Sequence, residues 1–175
     1  KALPALAPGN STFVSLTSSA NAITLANSGT NYTIRGLSIG NKTGVGILGN
    51  SFGTLTIAET NIAGNGQALS LNTGTIAAPG TLNYHFKTLS AATGAYGIYL
   101  NNVSGSLQVE QASSALSGST TTAFYLSGGT ISVQYPGSIT GPRPVDIRNT
   151  ISSTLAFAGN ITASSLGLNL TGDAH

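Results

Sequence analysis

Four carboxylates make up the whole acidic inventory of this chain: Glu59, Glu110, Asp146 and Asp173. Glycoside hydrolysis needs two of them facing one bond, one as acid and one as base or nucleophile. Glu59 and Glu110 both follow a short apolar segment (Leu55-Thr56-Ile57 and Leu107-Gln108-Val109). On a stacked coil they would stand two turns, about 10 Å, apart, a separation that an inverting pair can use. No further acid or histidine stands beside either in the sequence, so both read as isolated solvent-facing charges. His85 is the only internal histidine and there is no cysteine. Neither a metal-ligand set nor a cofactor site is therefore expected. No Gly-x-Ser-x-Gly element is flanked by the strand and helix that a nucleophile elbow needs, and the glycine-rich stretch 36–46 lacks the Lys-Ser/Thr ending of a phosphate loop. The expectation is a chain without catalytic residues.

Side chains suited to recognition are more evident. Tyr99, Tyr125, Asp146 and Arg148 recur at comparable places in the pattern, and aromatic faces beside a charged pair suit a sugar or a protein. Tyr84, His85, Phe86 and Lys87 form the densest aromatic and cationic cluster of the chain. Strict alternation would set Tyr84 and Phe86 on one face and His85 and Lys87 on the other. The first pair would then be core and the second solvated, or the four would form a binding loop.

The elements that must position these residues are short strands. Segments ending in Asn or another small polar residue recur, with anchors Leu25, Leu48, Leu71, Leu100, Leu126 and Ile147 spaced 23, 23, 29, 26 and 21 residues. A period in the twenties with period-two alternation marks a β-solenoid. The predicted fold is all-β: a right-handed parallel β-helix of about six to seven turns of 21–29 residues, with three short strands per turn. It spans residues 21–170, after an N-terminal linker or cap (1–20) and before a tail (171–175). The turns run through 22–43, 44–66, 67–94, 95–121, 122–143 and 144–164, and Leu166–Leu170 begins a seventh. Six turns stacked about 4.8 Å apart would be about 29 Å long.

Stacking also accounts for the composition. Gly, Ser, Thr and Asn supply 83 of 175 residues, and charged residues only 6%. Apolar residues reach 40% and alternate in twos, which argues against a flexible polar linker. Corners need backbone that Gly and Asn tolerate, and Asn27, Asn50, Asn72, Asn101 and Asn149 are candidates for a turn ladder. If Leu100 and Leu126 face inward, Tyr99 and Tyr125 face outward on adjacent turns, with Asp146 next and Arg148 two residues along. The full outward column reads Thr24, Ile47, Ser70, Tyr99, Tyr125, Asp146 and Gly167, which is no threonine array for ice. The third and fourth turns are longest, and their extra residues, Tyr84–Lys87 and Ser113–Thr122, are expected to form recognition loops.

The six basic residues are dispersed and form no run, which excludes the clustered cations of a nucleic-acid binder. No stretch approaches 18 apolar residues without a Gly, Ser or Thr break, so no transmembrane helix is expected. The absence of methionine suggests a processed product or an excised piece.

The rungs Gly46–Ile57 and Gly97–Val109 resemble those of right-handed parallel β-helix proteins, the pectate-lyase-like superfamily. Among them the low charge, lack of cysteine and Gly/Ser/Thr/Asn richness resemble the passenger domains of bacterial autotransporters and related exported adhesins. The resemblance implies a non-enzymatic segment of a secreted or surface-exposed bacterial virulence protein, acting as an adhesion or stalk module. Its partner would be a protein or carbohydrate at a cell surface, and end-to-end or side-by-side self-association is a further possibility. The alternatives are a carbohydrate-binding or polysaccharide-degrading β-helix and a trimeric fibre or tailspike segment.

Overall fold

The computed structural model describes residues 14–26, 31–80, 84–151 and 153–172. The chain is a parallel β-solenoid of about six turns. Its strands follow the sequence period turn by turn. β1 (Val14–Ser18) is a rung preceding the first full turn, which comprises β2 (Ile23–Leu25), β3 (Asn31–Arg35) and β4 (Leu37–Lys42). Then come β5 (Val45–Ala58) with β6 (Thr60–Ile62), β7 (Gln67–Ile76) with β8 (Phe86–Leu89), and β9 (Gly94–Gln108) with β10 (Ala115–Leu116). The fifth turn is β11 (Ser119–Ser127), β12 (Ile131–Tyr135) and β13 (Ser138–Gly141); the sixth is β14 (Arg143–Arg148), β15 (Leu155–Phe157) and β16 (Ile161–Ala163). β17 (Asn169–Thr171) opens a seventh.

Every ladder between turns is parallel, and the strands fall on three faces. The first face runs β2, β5, β7, β9, β11, β14, β17. The second links β3 to the latter half of β5, then β7, β9, β12 and β15. The third comprises β1, β4, β6 and β8, then β10, β13 and β16. In β5, β7 and β9 the first two strands of the turn are fused across a corner, so a turn there has two continuous strands rather than three.

Two boundaries differ from the sequence reading. β1 pairs in parallel with β4, so the coil begins inside the segment expected to be a linker or cap; residues 1–13 and 173–175 lie outside the described residues. The residues expected to form long recognition loops are largely rungs, since Phe86–Leu89, Ala115–Leu116 and Ser119–Thr122 all pair in the sheets. The extra length of the third and fourth turns lies instead between β7 and β8 and between β9 and β10.

The core is a set of stacked columns. The principal one reads Leu25, Gly49, Leu71, Leu100, Leu126, Ile147 and Leu170. The sequence reading placed Leu48 in it; Leu48 is half-buried on the outer side and Gly49 holds the inward position. The leucine was the stronger hydrophobic signal, but the alternation runs Ile47 in, Leu48 out, Gly49 in. Phe52, fully buried, fills the space beside Gly49: a Cβ on Gly49 would sit 3.2 Å from the Cβ of Phe52, and one on Gly74 2.6 Å from its ring. Deeper inside, the buried Tyr135 donates its hydroxyl to the Leu89 carbonyl at 3.0 Å, joining two faces through the core. Burial pushes the Tyr135 hydroxyl's pKa up, which keeps it a donor.

At the far end the columns are open. Ile151, Ile161, Leu166, Leu168 and Leu170 are exposed because no described rung covers them.

The corner after the first face takes a left-handed residue at every turn from β5 on: Ser51, Thr73, Asn102, Gly128, Asn149 and Gly172. The residue before each of these forms an outward column of Asn50, Asn72, Asn101, Ser127, Arg148 and Thr171. Only its first half is an asparagine ladder, with Asn101 Nδ2 donating to Asn72 Oδ1 at 2.8 Å. Asn149 is displaced by one residue into the left-handed position, where αL is tolerated by asparagine, and Arg148 takes its expected place. Asn27 lies outside the described residues.

Lys42, at the corner between the third and first faces, is 2% exposed. Its ammonium donates to the carbonyls of Asn65 (3.0 Å), Ala63 (3.2 Å) and Gly40 (3.4 Å). Burial lowers its pKa to about 8. The folded chain therefore sheds this proton at a lower pH than the unfolded chain, whose lysine titrates near its ordinary value of about 10.4. Stability should rise as pH is raised from about 8 to about 10.4, by about 2 kcal/mol after allowance for screening by water at the corner. Urea titrations across that range should show the rise in the parent chain and a flatter profile in Lys42→Met. Equal slopes would sink the idea.

Candidate functional site

The first face carries the side chains singled out for recognition. Its outward column reads Thr24, Leu48, Ser70, Tyr99, Tyr125, Asp146 and Asn169. The expected neighbours Tyr99, Tyr125 and Asp146 are therefore in register on successive rungs. Two members of the column are corrected: Leu48 replaces Ile47, and Asn169 replaces Gly167. The first error is a one-residue slip, because Leu48 was the stronger apolar signal than the inward Gly49; the second is a two-residue slip, because Leu168 was taken for the inward Leu170.

The rings of Tyr99 and Tyr125 stack at 4.9 Å between centroids, within 5° of parallel. That distance is about the rung spacing itself, so parallel pairing dictates the stack. Tyr96 joins them, 5.0 Å from Tyr99 and 5.6 Å from Tyr125 and steeply inclined to both. Sequence alternation missed Tyr96, because it lies three positions, an odd number, before Tyr99. Gly97 and Ile98 between them are both buried: a corner there breaks the alternation and returns both tyrosines to the same side. A Cβ on Gly97 would lie 2.6 Å from the Ala123 carbonyl oxygen, so the corner needs this glycine.

Beyond Tyr125 the face becomes ionic. Asp146 is 1% exposed although it sits in an outward column, because three side chains cover it. Arg148 donates from Nε (2.8 Å) and from a terminal nitrogen (2.7 Å), Arg143 from a terminal nitrogen at 2.8 Å, and Asn169 from Nδ2 at 2.7 Å. The Arg148 hydrogen bonds, ahead of those from Asn169 and Arg143, hold the Asp146 carboxyl far below the usual carboxylate range, against the opposing effect of burial. Arg148 also lies over the Tyr125 ring, its Cζ 5.6 Å from the centroid, within reach of a cation–π contact. Arg143 and Asn169 were not anticipated; correct register would have put Asn169 beside Asp146. Two guanidinium groups against one carboxylate leave this end of the patch with one net positive charge.

The second expected cluster does not assemble as foreseen. His85 and Phe86 are both fully buried, Lys87 is exposed and Tyr84 half-buried. Alternation fails because 84 and 85 precede β8. His85 accepts the Gln108 N–H on Nδ1 (3.1 Å) and donates from Nε2 to the Ala77 carbonyl (2.6 Å). With both nitrogens engaged and burial lowering its pKa, His85 is a neutral bracket behind the long β7–β8 connection. It is not the solvated side chain that alternation implied.

Of the two glutamates, Glu59 is not the isolated charge expected. Glu59, at a left-handed corner (φ 50°), receives a 2.6 Å ion pair from Arg35, while Glu110 is exposed. Burial, then the charges of Glu110 and Glu59, raise the Tyr84 hydroxyl's pKa. Among the described residues no three His, Asp or Glu side chains form a metal cluster, and no helix is long and apolar enough to cross a membrane. A depression of about 370 Å³ at the corner between the third and first faces is lined by Ser18, Asn41, Lys42, Thr43, Asn65 and Thr93. The Lys42 ammonium is engaged by the carbonyls of Gly40, Ala63 and Asn65.

Compared with protein-family models, curated proteins and solved structures, the chain matches none significantly.

Proposed function

We propose that this chain is a recognition segment of an exported surface protein, a rigid stalk that binds a partner non-covalently through its first face. One observation carries the reading: three tyrosines and two arginines gather on one parallel sheet, held there by ring stacking and by the buried Asp146 carboxylate. Tyrosine and arginine are the residue types that dominate recognition energetics, and here little side-chain entropy remains to be lost on binding. The sparse charge, the lack of cysteine and the Gly/Ser/Thr/Asn-rich rungs support export and a surface location. An acid–base reaction finds less support, because Glu59 is engaged by Arg35.

Immobilised chain should be screened against glycan and cell-surface protein arrays. Tyr125→Ala and Arg148→Ala should each weaken the captured partner at least about 10-fold, the loss expected of a hot-spot residue, with thermal unfolding confirming that the coil persists. Capture of nothing on either array, or equal capture by the variants, would overturn the reading.

A further inference from the structure

The aromatic stack on the first face is capped at one end and open at the other. Arg148 lies over Tyr125. Tyr96 stands nearly equidistant from the two parallel rings, which places it beside the stack and not on its end. The outer face of Tyr99 therefore looks along the solenoid axis toward the preceding rung, where its register partner is Ser70. One rung further is Leu48, half-buried. A serine between Leu48 and Tyr99 leaves a notch one rung thick and two rungs wide, about 9.6 Å between the flanking backbones. One wall is an aromatic face, the other an aliphatic side chain, and the floor carries a hydroxyl.

The rim of the notch is polar and uncharged. On the adjoining outward column, Asn72 stands two residues after Ser70 and is hydrogen-bonded to Asn101 beside Tyr99. On the other side Gln67, half-buried, donates to the Leu69 carbonyl at 2.7 Å, leaving its own carbonyl as an acceptor. In this column the nearest charged residue is Asp146, two rungs beyond Tyr99 and already satisfied; on the near side stand only Ser70, Leu48 and Thr24.

We propose that this notch is a subsite for one neutral hexopyranose unit of a glycan, its C–H face stacked on Tyr99 and its hydroxyls met by Ser70, Asn72 and Gln67. A pyranose is the chemistry that matches: one weakly apolar face to continue the stack and an edge of neutral donors and acceptors. A charged ligand would gain nothing here, since its counter-charges lie at the opposite end of the stack. The inference rests on the recognition reading and names a ligand class for it.

The test is titration of the chain with neutral gluco- and galacto-oligosaccharides and, in parallel, with uronic acid oligomers, followed by saturation-transfer NMR and calorimetry. A neutral oligosaccharide should bind at about millimolar affinity, with saturation passing from the Tyr99 ring to sugar C–H protons. Ser70→Tyr extends the stack into the notch, so it should keep the fold and lose binding at least about 10-fold. Ser70→Gln, a milder obstruction, gives the same readout if the larger residue disturbs the sheet, and Tyr99→Leu should lose the stacking signal. No neutral sugar bound below about 10 mM, preference for the uronic acids, or full binding by both Ser70 variants would overturn this subsite. A partner captured through Tyr125 and Arg148 but indifferent to Ser70 would sink this inference alone; failure at both positions would sink the recognition reading with it.

Discussion

Replacing Phe52 with alanine should destabilise the coil by about 3–5 kcal/mol, the range for a large aromatic removed from a close-packed core. Phe52 has no exposed surface and supplies the bulk that Gly49 leaves out of the principal column. Gly49→Leu alone should also destabilise: its Cβ would meet Leu25 at 3.1 Å, Leu71 at 3.2 Å and Phe52 at 3.2 Å, tighter than an unstrained core accepts. Combined, the two changes should compensate in part, because a leucine at 49 would enter the space the ring had held. Urea unfolding of the two single variants and the double variant would measure the coupling. It should favour the double variant by more than about 1 kcal/mol over the sum of the singles. Strict additivity would mean that Gly49 does not face the core here, and the register with Leu48 outside would be wrong.

The second large effect belongs to Asp146. Its carboxylate accepts hydrogen bonds from Arg143, Arg148 and Asn169 and is nearly sealed from solvent. Asp146→Ala should cost roughly 2–3 kcal/mol, at or below the low end for breaking a buried pair, because both guanidinium groups retain access to water. The acid limb should change as well. Asp146 is held ionised in the fold well below its unfolded value, so its contribution is complete above about pH 4 and is lost as pH falls from there toward its depressed folded pKa. Between about pH 4 and pH 2 the parent chain should lose stability more steeply than Asp146→Ala. Denaturant titrations at stepped pH would show converging curves; parallel curves would mean that the carboxylate is not linked to folding. The same variant should release Arg148 from its place over Tyr125 and so weaken whatever the first face binds.

The two cases show which parts of the chain could be read directly. The period in the twenties, the parallel coil and the stacking of Tyr99, Tyr125 and Asp146 follow from the alternation of Leu, Ile and Val with small polar residues. A repeated inward position must be filled on every turn, and that demand is written into the sequence. The filling itself is not confined to one residue. At the second rung Phe52 supplies the volume from three residues away, so Gly49 carries no hydrophobic signal and Leu48 is a misleading one. Alternation also stops at corners, which is why Tyr96 joins Tyr99 against the pattern and why His85 is buried beside Phe86.

What the linear order determined about this protein is therefore the kind of fold, its repeat and the outward tyrosine pair, because these depend on local periodicity. Only the tertiary structure decided which atoms meet. The burial of Asp146 under two arginines and Asn169, the neutral bracket at His85, the carbonyl cage around Lys42 and the notch over Ser70 all join residues one or more turns apart. Their contacts depend on inter-turn register, and a slip of one residue turns every side chain of a rung to the other face.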